Sequence, residues 1–144
     1  MESKGRVHIH VVGFDHPDWK KHTIKFMGAS EGYDLIFDVR QFIRRDREQK
    51  GKRDRSALLG NKTRKAILGK KNAQDCVDYI IALLEKIVGT SLSSDENKTI
   101  LTKNYHIVIG CKRGKHRSVS VAHEITSRLS NLVEPHYYYA ASAK

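Results

Sequence analysis

The run Tyr105-His106-Ile107-Val108-Ile109-Gly110 has the β-branched, apolar character of a strand. Only the seven residues Cys111 to Arg117 separate it from a segment starting at Ser118 whose apolar positions, Val121, Ala122, Ile125, Leu129 and Leu132, recur at helical spacing. So short a link is a tight loop. A strand that feeds a helix in this way is the building unit of an α/β layer, and the rest of the chain has to supply its partners.

Those partners are legible on both sides. Arg6 to Val11 alternates polar and apolar residues, which predicts a first strand ending at Gly13 with Val7, Ile9 and Val11 toward the core. Tyr33 to Val39 is a nearly continuous apolar run of the kind found in buried strands, and Asp15 to Gly32 between them reads as irregular. Ala73, Val77, Ile80, Ile81, Leu84, Ile87 and Val88 define a long amphipathic helix closed by Gly89. Thr90 to Asn104 is a polar surface connection, and Leu132 to Tyr139 is expected as a last edge strand despite Pro135. The expectation is a single α/β domain over residues 1–144, a small mixed or parallel sheet flanked by helices. In such sheets ligands gather beyond the carboxyl ends of the strands. Three exits, Gly13-Phe14-Asp15-His16, Asp38-Val39-Arg40 and Gly110-Cys111, then converge on one cleft.

Charge narrows the partner. The formal net charge is +11, and residues 40–71 alone carry thirteen Lys and Arg against three acidic residues. This is a basic patch rather than a uniform coat, which points to a polyanion, with a solvated loop or an acidic protein partner as competing readings. Arg44, Arg45, Arg47, Lys52, Arg53 and Arg55 are the RNA-binding candidates within it.

The loop Cys111-Lys112-Arg113-Gly114-Lys115-His116-Arg117-Ser118 has the make-up of a phosphate cradle. Gly114 permits a positive φ that turns successive amides inward, and the following helix presents unpaired N–H groups and the positive end of its dipole. Lys112, Arg113, Lys115 and Arg117 add formal charge, Arg117 with a bidentate fork. Ser118 is expected as the helix N-cap or as a phosphate donor. Cys111 and Arg117 also have the Cys-x5-Arg spacing of cysteine-dependent phosphatases, whose thiolate lies beneath the amides. Asp15, Asp18 and Asp38 are then the candidate general acids, with Asp38 at a strand exit. Cys111 as a small buried residue that closes a binding loop without reacting is the alternative.

The stretch Gly110 to Val119, preceded by its hydrophobic strand, resembles the Gly-Cys-Thr-Gly-Gly-Lys-His-Arg-Ser-Val signature of the RapZ C-terminal domain family. Phe37-Asp38-Val39-Arg40 matches that family's Phe-Asp-Val-Arg, and Gly13-Phe14-Asp15-His16 resembles its Gly-Phe-Lys-His, in the same order. The resemblance spans roughly residues 6–140. It implies an α/β fold likened to a phosphofructokinase subdomain, and a domain that binds RNA and an amino-sugar phosphate without catalysis. It further implies that His16, Gly114, Lys115, His116 and Arg117 line the anion pocket, with Asp38 and Arg40 organising its edge. Bacterial members join this domain to a P-loop nucleotide-binding domain and present a small regulatory RNA to an endoribonuclease. No Gly-x4-Gly-Lys-Ser/Thr loop occurs in this chain, so a stand-alone domain is expected. Lys112-Arg113 in place of the family's Thr-Gly makes the loop more basic, and with the further departures at Gln41 to Arg45 and His136-Tyr137 this favours a bare phosphate or a nucleic-acid backbone over a particular sugar.

Smaller signals set the remaining expectations. His8 and His10 share one strand face and are expected to be exposed. Apart from His8 and His10 themselves, no close His-x-His or HExxH pair occurs beside a carboxylate, so neither a metal nor a cofactor is expected. Tyr137, Tyr138, Tyr139 and Trp19 either stack on unpaired bases or pack against the sheet. Cys76 and Cys111 are expected to be reduced thiols. The absence of a membrane-length apolar run and of a signal-like N-terminus points to an intracellular, cytoplasmic protein, with a homo-oligomer left open.

Overall fold

A computed structural model describes residues 5–28, 32–43, 61–92, 100–129 and 131–139. Strands β1 (Val7–Gly13), β2 (Leu35–Asp38), β3 (Tyr105–Cys111) and β4 (Val133–Tyr137) form one sheet in the order β2-β3-β1-β4. Every adjacent pair is parallel, so the sheet is the parallel alternative of the sequence reading. Helices α1 (Trp19–Met27), α2 (Asn61–Leu68), α3 (Lys71–Val88) and α4 (Arg117–Arg128) flank it, and Val39–Gln41 forms a single 3-10 turn. No helix among the described residues is long and apolar enough to cross a membrane.

Side-chain alternation splits the sheet into two chemically different faces. Val7, Ile9 and Val11 pair in register with Tyr105, Ile107 and Ile109, and this face packs against Ala73, Cys76, Val77, Ile80 and Leu84 of α3 and Val121, Ala122 and Ile125 of α4. Their spacing of three and four residues along each helix produces that apolar stripe. Each fully buried Ile or Leu here is worth roughly 1.5–3 kcal/mol over its exposed state. Gly89 closes α3 at φ 87°, its amide donating to the Glu85 carbonyl at 2.8 Å.

The opposite face carries His8, His10, His106 and His136, covered by Phe26 of α1. The expected exposure of His8 and His10 is therefore corrected: they are 8% and 0% exposed. A strand in the middle of a parallel sheet is covered on both faces, so its polar face has no water to meet. Burial, then the neighbouring His136, His106 and His8, hold the His10 pKa down to about 3, and the ring is neutral.

Other differences have equally local reasons. Residues 15–32 contain α1, which sequence periodicity hides because, apart from Thr23 and Met27, its residues are not fully buried and Lys and His occupy much of the rest. α2 lies inside the basic segment, and Ile67 is its buried apolar anchor. β2 is shorter than predicted and forms an edge, which leaves Ile36 48% exposed despite its apolar run. β4 is the other edge, where Pro135 costs no central ladder bond. Cys76 and Cys111 are both free thiols.

β1 and β3 lie side by side, but their connections diverge, one to α1 on the histidine face and the other to α4 on the apolar face. Neighbouring parallel strands with diverging exits open a crevice at their carboxyl ends, here at the register pair Gly13 and Cys111.

Candidate anion-binding site

The loop after β3 is folded back onto the end of β1. Phe14 N–H donates to the Cys111 carbonyl at 2.8 Å and Asp15 N–H to that of Lys112 at 3.0 Å, so pairing continues past the strand ends. Gly114 adopts φ 74°, and a Cβ there would lie 2.7 Å from the backbone carbon of Val12. Glycine is required by both conformation and space. With this turn in place the Gly114 amide points inward and donates to Cys111 Sγ at 3.3 Å.

Beneath the loop, Ser118 Oγ lies 3.1 Å from the same sulfur. Burial alone raises the thiol pKa. The Ser118 hydroxyl and amide, the Gly114 amide and the charge of Arg117 more than offset it, so the net shift is downward. Ser118 is fully buried against the thiol and does not hold the N-cap position, which corrects the N-cap expectation. The cap position belongs to His116, which makes no side-chain cap bond, while its carbonyl accepts the Ser120 amide and hydroxyl at 2.9 and 2.7 Å. In the first turn of α4 the Ser118 amide is directed at the Cys111 sulfur, so the thiol sits at the positive end of the helix.

The other two strand exits reach the same cleft. Asp38 caps the 3-10 turn by accepting the Arg40 amide at 2.9 Å and binds the Arg40 guanidinium through Nε and Nη2 at 2.8 to 3.1 Å. Arg40 also lies 3.7 Å from Asp15 and over the Phe14 ring at 5.3 Å. Burial raises the Asp38 pKa, but the Arg40 side-chain and backbone hydrogen bonds, with the Arg40 and Arg117 charges, bring it below its ordinary value. Arg117 donates from Nη1 to the Ile43 carbonyl at 3.0 Å, a contact that orients its guanidinium. The His16 ring stacks on Tyr139 at 4.0 Å between centroids and donates from Nε2 to the Arg113 carbonyl at 3.2 Å.

The residues proposed from sequence thus sort by position. Cys111, Gly114 and Ser118 form the buried floor, Lys115, His116 and Arg117 are half exposed at the rim, and Lys112 and Arg113 are exposed outside it. Lys112 lies 4.0 Å from Asp15. Arg40 sits between two carboxylates as an organiser of the cleft edge. Asp18 lies 3.5 Å from His22 on α1. The aromatic residues are taken up by packing: Tyr138 hydroxyl meets His10 at 2.7 Å, and Trp19 stands edge-on to Phe14. Arg44, Arg45, Arg47, Lys52, Arg53 and Arg55 lie outside the described residues. Sequence reasoning did not find the Ile43 carbonyl, because a backbone acceptor carries no residue-type signal.

The family model described as the RapZ C-terminal domain matches residues 8–139, which include the cleft-forming loops and the four strands but for Val7 at the start of β1. A protein of Dictyoglomus thermophilum named "Nucleotide-binding protein" is 38% identical over 73 residues, 51% of this chain and 23% of that protein. A Dictyoglomus turgidum protein of the same name is 39% identical over 59 residues, 41% of this chain and 18% of that protein. The matched part is thus about a fifth of the length of these relatives.

Proposed function

The chain belongs to the RapZ C-terminal domain family, and from that footing we propose that it is a phosphate-recognising, non-catalytic domain whose ligand is RNA or a phosphorylated small molecule. The observation that carries this reading is the inward-turned Gly114 amide at φ 74°, held over the buried Cys111 sulfur at the foot of α4. Such a turn gathers amide donors around one tetrahedral anion, and the half-exposed Lys115 and Arg117 supply charge at its edge. The relatives named as nucleotide-binding fit a phosphate-bearing ligand, although the shared segment is a small part of each. In this reading residues 40–71 follow additional backbone charge when the ligand is RNA. Calorimetric titration with inorganic phosphate and with a short single-stranded RNA tests it. Binding should be weakened by roughly 10–100-fold in Arg117→Ala and kept in Cys111→Ser.

One observation favours a second reading, a phosphatase with Cys111 as nucleophile: the thiol is lowered in pKa by Ser118, Gly114 and Arg117 in spite of its burial. That chemistry also needs a protonated acid at the leaving oxygen, whereas Asp38 is held ionised by Arg40. Turnover of an aryl phosphate that disappears in Cys111→Ser would establish this second reading.

A further inference from the structure

The face of the sheet beneath α1 holds a separate concentration of chemistry. His8, His10, His106 and His136 lie side by side, with neighbouring ring centroids 5.1 to 5.3 Å apart. They come from three strands, and only the order β3-β1-β4 brings them together.

Hydrogen bonding fixes the proton on one of these rings. Asn104 Oδ1 accepts the Arg6 backbone amide at 3.0 Å, which identifies that end of the side chain as the oxygen. His8 Nε2 lies 3.2 Å from the same oxygen and must therefore carry hydrogen. In the neutral ring the Nδ1 lone pair is then free to bind, and it faces His136 Nε2 at 2.9 Å. Glu134 Oε2 lies 3.6 Å from that His136 nitrogen, and the three donor atoms are within 4.8 Å of one another.

We propose that His8 Nδ1, His136 Nε2 and Glu134 Oε2 form a binding site for a divalent first-row transition metal of the zinc class. Two imidazoles and one carboxylate are a donor set that zinc accepts when a fourth position stays open to water. The 2.9 Å nitrogen separation is that of two bonds of about 2.0–2.1 Å meeting at roughly a right angle. The surroundings are those of ligands held in place. Asn104 takes the outer N–H of His8, as a carbonyl does for a metal-bound histidine, and Arg6 Nη1 lies 3.6 Å from Glu134 Oε1, leaving Oε2 for the ion. Phe26 covers the His136 ring at 4.2 Å. Without the ion, one proton bridges the pair, on His136 Nε2 and directed at His8 Nδ1. Metal binding displaces it, and His136 takes the Nδ1–H form. The bound ion would fasten edge strand β4 to β1.

The test is calorimetric titration of the full chain with Zn²⁺, paralleled by the visible spectrum with Co²⁺. One ion per chain is expected, with a ligand-field band from mixed nitrogen and oxygen donors and a raised melting temperature. His136→Gln and Glu134→Gln should each weaken binding about tenfold or more. The Glu134 side chain is 43% exposed and lies on an edge strand, so its variant reports on the ion even if the histidine variant folds poorly. Cys111→Ser should bind as the parent does. Absence of binding, equal binding by Glu134→Gln, or dependence on Cys111 would each overturn the proposal.

Discussion

Ser118 Oγ lies 3.1 Å from Cys111 Sγ, across the full width of the loop that separates them in sequence. The contact joins the end of β3 to the first turn of α4 and places the thiol on the floor of the cleft, where the Gly114 amide also reaches it. The proposed anion site and the thiol therefore share one geometry.

The two thiols should separate by reactivity. Cys76, buried among apolar side chains, is pushed up to about 12, whereas Cys111 is held below the ordinary thiol value. Iodoacetamide at neutral pH is expected to modify Cys111 first, as followed by peptide mass mapping. Inorganic phosphate should slow that modification by covering the loop, and Ser118→Ala should move the pH midpoint of alkylation upward. Preferential labelling of Cys76 would contradict the assigned environments.

Arg117→Ala should weaken phosphate binding by roughly 10–100-fold, because a charge-assisted hydrogen bond contributes about 1.5–3 kcal/mol. The loss should exceed that of Lys115→Ala, since the Ile43 carbonyl already orients the Arg117 fork. Arg117→Lys should recover only part of it. Calorimetric dissociation constants for the three variants check the order.

Gly114→Ala is expected to destabilise the fold by about 1–3 kcal/mol through its positive φ alone, before the Val12 backbone clash is counted. Gly32→Ala, where a Cβ meets nothing within 4 Å, is the control and should change little. Urea midpoints measure both.

Asp38 links the site to acid stability. Its carboxyl is held below its ordinary value of 3.8, so the folded state favours the ionised form. The resulting stabilisation is complete above that ordinary value and is lost as the pH falls through the lower folded value. Asp38→Asn should therefore be less stable than the parent at pH 7, by on the order of 1 kcal/mol, with the gap closing in strong acid. A gap that widens in acid would reverse the sign assigned here.

What the sequence makes legible is what is local. The strand, the seven-residue loop and α4 are contiguous, so Gly114, Cys111 and Arg117 could be placed from spacing alone. The amphipathic stripe of α3 is equally plain, because Ala73 to Leu84 repeats with the helical period. The histidine cluster is the opposite case. His8 and His136 are brought together by strand order, and an alternating strand pattern does not say whether its polar face meets water or a covering helix. That helix, α1, was hidden by its Lys and His residues. Ser118 was read as a possible cap and instead touches the Cys111 thiol, since position near a helix start cannot distinguish a cap from a thiol contact.

The central claim is that the turn at Gly114 cradles a tetrahedral oxyanion, and amide chemical-shift mapping during titration with inorganic phosphate addresses it most directly. Saturable shifts are expected to be largest at Gly114, Lys115 and Arg117, with saturation moved to much higher phosphate in Arg117→Ala and unchanged in Cys111→Ser. Shifts confined to the basic residues 64–71, with these loop amides unmoved, would contradict it.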